Sequence, residues 1–141
     1  MIDGGLKSLF QKHLPEAHWQ SIETWSTGRG VPDLYYCFPG NKCGWLELKV
    51  TTTKKVVVRP EQIAWAERHW RNSGRVFFAV RKKTRSGVRR QACDELWIVH
   101  GEGARMLAFG LHSVPLSLIM GRYVNGPTRW QWSEIRKVLC S

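Results

Sequence analysis

Acidic residues are scarce in this chain. Eleven Asp and Glu stand against 22 Lys and Arg among 141 residues, giving a formal net charge of +11 at pH 7 and a pI near 10.0. Such an excess points to a polyanionic partner, since each phosphate neutralised by Lys or Arg releases condensed counterions, and nucleic acid is the leading candidate. None of the four cysteines (Cys37, Cys43, Cys93 and Cys140) stands in C-x-x-C spacing, which argues against zinc. Cys37 and Cys43 sit near a turn where a metal or disulfide role is open, but free thiols are the expectation for all four. The five histidines do not cluster in sequence, which argues against a histidine-held metal centre. There is no apolar run long enough to cross a membrane, and the first residues, MIDGGLKSLF, lack a secretory pattern. The expectation is a soluble protein of a reducing compartment, the cytoplasm, with no membrane partner. Internal repeats, low-complexity tracts, a P-loop and a G-x-S-x-G elbow are absent as well.

What is present suffices for one domain. The chain is 43% hydrophobic and carries eight tryptophans, enough to bury a core at this length. Its most informative stretch is GVPDLYYCFPGNKCGWLELKV, from Gly30 to Val50. Strand residues alternate faces, so Glu47 and Lys49 point one way while Leu46, Leu48 and Val50 point the other. Pro39, Gly40 and Asn41 mark a turn that folds Asp33 to Phe38 back as an antiparallel partner. The hairpin brings Asp33 beside Glu47. Two carboxylates and an ammonium at one end of a half-apolar sheet invite a divalent cation with oxygen ligands. The alternative is a salt-bridged, solvent-facing hairpin.

The surrounding pattern is α/β. Leu6, Leu9, Phe10 and Leu14 predict a helix from Gly5 to Leu14, ended by Pro15. Gln20 to Ser26 reads as a strand, Thr27 to Gly30 as a loop, and Thr51 to Arg59 as a loop with room for a short strand. Pro60 opens a helix whose Ile63, Ala66 and Trp70 share a face, with Asn72-Ser73-Gly74 as its stop. Arg75 to Arg81 reads as a buried strand parallel to Gly44–Val50, because a helix supplies the crossover. Lys82 to Gln91 is a basic loop and Glu95 to His100 another strand. In the C-terminal third, a short strand is expected at Ala104–Ala108, a short helix at Val114–Met120, and a final helix from near Thr128 with Trp132, Ile135 and Leu139 on one face.

Pro32-Asp33, Glu47-Leu48-Lys49 and Arg59-Pro60-Glu61-Gln62 together resemble the PD-(D/E)xK nuclease superfamily, in particular its VRR-NUC and archaeal-type Holliday junction resolvase branches. The chain is similar to small phage-encoded endonucleases, which would act in the host cytoplasm. The resemblance covers roughly Gly5 to Arg81. It implies a restriction-endonuclease-like single domain with a central mixed sheet flanked by helices, the core running from about 5 to 100 and an extension over 101–141. It also implies a Mg²⁺- or Mn²⁺-dependent DNA endonuclease acting on branched or junction DNA as a homodimer. In these terms Asp33, Glu47 and the Leu48 carbonyl would hold the metal, Lys49 would orient water or stabilise the transition state, and Gln62 would position the water or Lys49. The family's usual acid in the first helix is missing; Glu23 is favoured over Glu16 and Asp3 to complete the cluster.

The densest basic run contains Arg81, Lys82, Lys83, Arg85, Arg89 and Arg90, for which phosphate contact is expected over a solvated loop. Arg29 and Thr27 border the acidic site and could touch a DNA backbone or merely connect. Tyr35, Tyr36 and Trp45 flank the acids and read as packing rather than base-stacking platforms. Arg129, Trp130, Arg136 and Lys137 are placed opposite the final helix's apolar stripe.

Overall fold

The computed structural model describes residues 3–22, 29–87 and 91–141. These form one six-stranded mixed sheet with helices on both faces. The order along the chain is α1 (Leu6–His13), β1 (His18–Ser21), β2 (Leu34–Phe38), β3 (Lys42–Thr51), α2 (Pro60–Arg71), β4 (Val76–Thr84), β5 (Cys93–His100), α3 (Ala104–Leu107), β6 (Ile119–Tyr123) and α4 (Trp132–Cys140). Strands lie in the sheet in sequence order. Among the described strands only β3 and β4 run parallel, and α2 provides the crossover that a parallel pair requires.

Period-two alternation sends each strand's residues to two separate cores. Leu34, Tyr36, Phe38, Leu46, Leu48, Phe77, Ala79, Leu96 and Ile98 meet Leu6 and Phe10 of α1 and Ile135 and Leu139 of α4. Phe78, Val80 and Val99 meet Ala66 of α2 and Ala104 and Leu107 of α3, with Trp45, Trp65 and Trp97 packed partly against them. We call these the closed face and the site face.

The α/β class, the hairpin, α2 and the parallel β3/β4 pair match the sequence pattern. The C-terminal third differs from it. Ala104–Leu107 is helical, and most of the segment expected as a helix at 114–120 instead leads into strand β6, after a 3₁₀ turn at Leu116–Leu118. Here β6 adds to β5 with an irregularity at Ile98/Val99, so the apolar spacing of the segment follows neither period. Trp130 is buried in the closed core and lies before α4 starts, not on that helix's outer side. The expectation of free thiols is corrected for one pair: Cys37 and Cys43 face each other in register across the hairpin and form a disulfide, while Cys93 and Cys140 are free. Among the described residues, no helix is long and apolar enough to cross a membrane.

Candidate active site

The site begins with register. Leu34 pairs with Leu46, so Asp33, one residue before β2, falls opposite Glu47. The Leu48 amide donates to Asp33 Oδ2 at 2.9 Å, fixing the carboxylate against the strand. Glu47 points with Trp45 and Lys49 toward α2 and is only 4% exposed. A carboxylate buried this deeply needs partners, and α2 supplies one from its first turn. Pro60 opens that helix, and Gln62 Oε1 accepts from the Arg59 amide at 3.0 Å, so the N-terminal turn orients the side chain. The same oxygen accepts from Lys49 Nζ at 2.9 Å, while Gln62 Nε2 donates to Glu47 Oε2 at 2.9 Å. Lys49 Nζ lies 3.3 Å from that carboxylate oxygen. Glu47, Lys49 and Gln62 thus form a closed triangle, with Asp33 at its open side.

Charge is not balanced there. Burial, then the neighbouring charge of Asp33, pushes the Glu47 carboxyl up to about 7, against the pull of Lys49. Burial also raises Asp33, opposed by the Leu48 amide and by Lys49. Asp33 nevertheless keeps an exposed surface, so solvent moderates its shift, and Glu47 dominates the pH response of the site.

The donor set fits a hard divalent cation. Asp33 and Glu47 offer carboxylate oxygens, and the Leu48 carbonyl points to the same side as the amide that reaches Asp33, past the end of β2. Mg²⁺ takes one or two carboxylates and keeps several waters, and the exposure of Asp33 leaves room for them. Among the described residues no group of three acidic, His or Cys side chains gathers at one point. Of the other acids weighed, Glu23 lies outside the described residues and Glu16 pairs with Arg136 at 3.7 Å. Asp3 is near enough for its charge to raise Asp33, while its own oxygens accept from the Gly5 and Lys7 amides. Nothing in its sequence position signals that proximity, which depends on how α1 packs.

The basic residues divide by face. Arg81 turns to the closed face, where its guanidinium bonds Asp94 at 2.9 and 2.8 Å and the Gly4 carbonyl at 2.6 Å. It is 9% exposed, so it drops out of the expected phosphate-contacting run. Lys82 lies on the site face opposite Thr51, beyond Lys49. Lys83 and Arg85 are exposed, and Arg89, Arg90 and Thr27 lie outside the described residues. Arg29 is exposed beside Gly30, whose left-handed backbone (φ 83°) lies against the Glu61 carbonyl with no room for a Cβ. That close approach holds the loop before Asp33 against the start of α2. Lys54 and Lys55, in the β3–α2 loop, are further exposed cations that the sequence reading did not single out.

Aromatic residues border the triangle. Trp45 is two residues before Glu47 on the same strand face, and Trp65 is one turn after Gln62. Their rings are 5.3 Å apart, and Tyr35 lies 5.3 Å from Trp45 on the other side. Comparison with protein-family models, curated proteins and solved structures finds no match.

Proposed function

We propose that this protein is a metal-dependent endodeoxyribonuclease that hydrolyses phosphodiester bonds in branched DNA, on a restriction-endonuclease-like domain of the PD-(D/E)xK kind. One observation carries the reading: Asp33 beside a buried Glu47 that shares hydrogen-bonding partners Lys49 and Gln62 at the edge of a strongly basic protein. A divalent cation held by Asp33, Glu47 and the Leu48 carbonyl would make a bound water more acidic and neutralise charge on the scissile phosphate. Lys49 has three N–H donors, of which Gln62 and Glu47 engage two, so the third is left for water or a phosphate oxygen. Gln62 acts through Lys49: locked by Arg59 and Glu47, it fixes the ammonium's direction. In-line attack forms one P–O bond to the water oxygen and breaks one ester P–O bond, the water's proton balancing the departing alkoxide.

Holliday junction resolution is the narrower reading that the family resemblance suggests, and it calls for a homodimer because two strands must be cut symmetrically. A second reading, a non-catalytic DNA-binding protein on the same scaffold, is favoured by one feature: the Glu47 carboxylate already has protein partners in Lys49 and Gln62. Cleavage of four-way junction, flap, nicked and linear duplex DNA with Mg²⁺, Mn²⁺ or chelator, by wild type and Glu47→Ala, separates them. Metal-dependent cuts lost in Glu47→Ala are expected, and paired cuts in the junction would add the resolvase assignment. No cleavage of any of these DNAs with either metal would overturn the enzyme reading in favour of the binder.

A further inference from the structure

Strands β1 and β2 are covered on the closed face but not on the site face. Along β2, Leu34, Tyr36 and Phe38 are buried while Tyr35 and Cys37 are half-exposed; on β1, His18 and Gln20 are exposed beside them. From this uncovered strip a row of aromatic side chains runs over β3 to α2. His18 and Tyr35 are 6.4 Å apart, Tyr35 and Trp45 5.3 Å, Trp45 and Trp65 5.3 Å, and Trp65 and His69 4.7 Å. Each of Tyr35, Trp45 and Trp65 keeps part of its surface in solvent.

The polar atoms of this row are not tied into the protein by hydrogen bonds. Tyr36 donates to the Leu139 carbonyl, and Trp19, Trp97, Trp130 and Trp132 each donate to a protein oxygen. Tyr35, Trp45 and Trp65, like Trp70 and Tyr123, donate to none among the described residues, yet none of their polar atoms is buried and unsatisfied. Their polar tips are therefore not sealed inside the core. An aromatic ring with an apolar body and a wet tip suits an interface.

The row starts at the catalytic triangle. Trp45 and Glu47 are same-face neighbours, about 7 Å apart along the strand, and Trp65 is one helical turn from Gln62. Exposed Arg68 lies three residues beyond Trp65, and exposed Arg29 stands where the loop before Asp33 meets α2. Basic side chains beside aromatic faces are how proteins hold single strands without reading sequence.

We infer that Tyr35, Trp45 and Trp65 form a stacking shelf for unpaired DNA bases adjoining the phosphodiester at Asp33 and Glu47, so that the substrate carries single-stranded nucleotides at the cut. The inference rests on the nuclease reading for what happens next to the shelf, but stacking itself does not depend on cleavage. It selects splayed or flapped arms over continuous duplex, whose bases are already stacked.

The test uses splayed-arm duplexes identical in phosphate count, one with thymine bases in the unpaired arm and one with abasic sugars there. Binding is measured with Ca²⁺ and tryptophan fluorescence, for wild type, Trp65→Ala, Trp65→Phe and Tyr35→Leu, with an unfolding midpoint for each. Wild type is expected to prefer the base-bearing arm by about 5- to 150-fold per stacked base, with tryptophan emission quenched. Trp65→Ala should lose most of that preference, Trp65→Phe should regain part of it, and the salt dependence should stay constant because phosphate contacts are untouched. Equal affinity of wild type for the two arms overturns the shelf, and that result needs no variant to fold. Cleavage of the same DNAs with Mg²⁺ is scored separately: base preference without cleavage keeps the shelf and overturns the nuclease, whereas cleavage without base preference does the reverse.

Discussion

The two faces of the sheet are built from the same kinds of residue and treat them in opposite ways. On the closed face, Tyr36 and Trp130 are almost fully buried, and the tryptophans Trp19, Trp130 and Trp132 each donate to a carbonyl. The arginine there, Arg81, has its guanidinium shared between Asp94 and Gly4. On the site face, Tyr35, Trp45 and Trp65 have free polar tips among the described residues, and Lys49 retains an uncommitted proton. Among the described residues the site face is open at β1 and β2; further along, Trp97 donates to Glu95 and is covered by Arg122 at 4.8 Å. The contrast leaves polar groups near the acidic site free to meet water or a ligand, where their closed-face counterparts are engaged.

The largest expected effect breaks the comparison at its centre. Glu47→Gln keeps the shape and the Gln62 contact but removes the charge, and it should reduce metal-dependent cleavage by about a thousandfold or more, the loss expected when several kcal/mol of transition-state stabilisation disappear. Its unfolding midpoint should equal or exceed that of wild type, because a buried carboxylate raised by burial and by Asp33 is a cost to the folded state. A variant that unfolds would instead make Glu47 a structural residue. The opposite behaviour is expected on the closed face. Phe10, fully buried between α1 and the sheet with Trp19 and Trp132 against it, should cost about 3–5 kcal/mol of stability when changed to Ala. Cleavage per folded molecule should change less than about twofold.

The same contrast has a pH signature. Glu47 ionises at about 7 in the folded protein and at the ordinary 4.5 when unfolded. Between those values the unfolded chain releases this proton first, so stability is fully present below pH 4.5 and is lost as pH rises through about 7. The metal-free protein should therefore lose about 3 kcal/mol from this group between pH 5 and pH 8. Urea titrations of wild type and Glu47→Gln at the two pH values measure this contribution together with its coupling to Asp33. Mg²⁺ or Mn²⁺ should restore the stability at pH 8. An identical pH response in the two proteins would mean that Glu47 is not the group under strain.

Much of this arrangement was legible from residue order alone. The turn at Pro39–Asn41 and the alternation through Leu46–Val50 gave the hairpin, the pairing of Asp33 with Glu47, and the direction of Lys49. Pro60 and the helical spacing placed Gln62 in the first turn of α2. What residue order could not convey was which side chains another element would cover. Arg81 reads like its neighbours Lys82 and Lys83, and only the position of Asp94 on β5 and Gly4 before α1 turns it inward. Trp45 does pack, against Trp65 and the core beneath α2, whereas Tyr35 reads as packing because a central strand is ordinarily covered on both faces. Here α2 covers β3 and β4 and leaves β2 open, a matter of helix placement that no local pattern encodes. Cys37 and Cys43 follow the same logic: their pairing depends on register, which the turn sets only once its length is fixed.

The smallest effect gives the sharpest form of the comparison, because it uses adjacent residues of one type. Tyr35 and Tyr36 differ by a single step along β2 and so point to opposite faces. The Tyr36 ring lies over Gly44, where the absence of a side chain leaves it room, and its hydroxyl donates to the Leu139 carbonyl at 2.6 Å. That bond ties the hairpin to α4, the last helix. Removing only the hydroxyl, in Tyr36→Phe, leaves a buried carbonyl with one partner fewer and should cost about 1–2 kcal/mol. The Tyr35 hydroxyl has no protein partner among the described residues, so Tyr35→Phe should alter stability by less than about 0.5 kcal/mol. Chemical denaturation of the two variants measures the difference directly. Equal losses would mean that the Tyr35 hydroxyl is as deeply engaged as that of Tyr36, and the site face would then be a second closed core. A loss confined to Tyr36→Phe leaves the Tyr35 ring free to meet a ligand, which a fold held together by both faces equally would not permit.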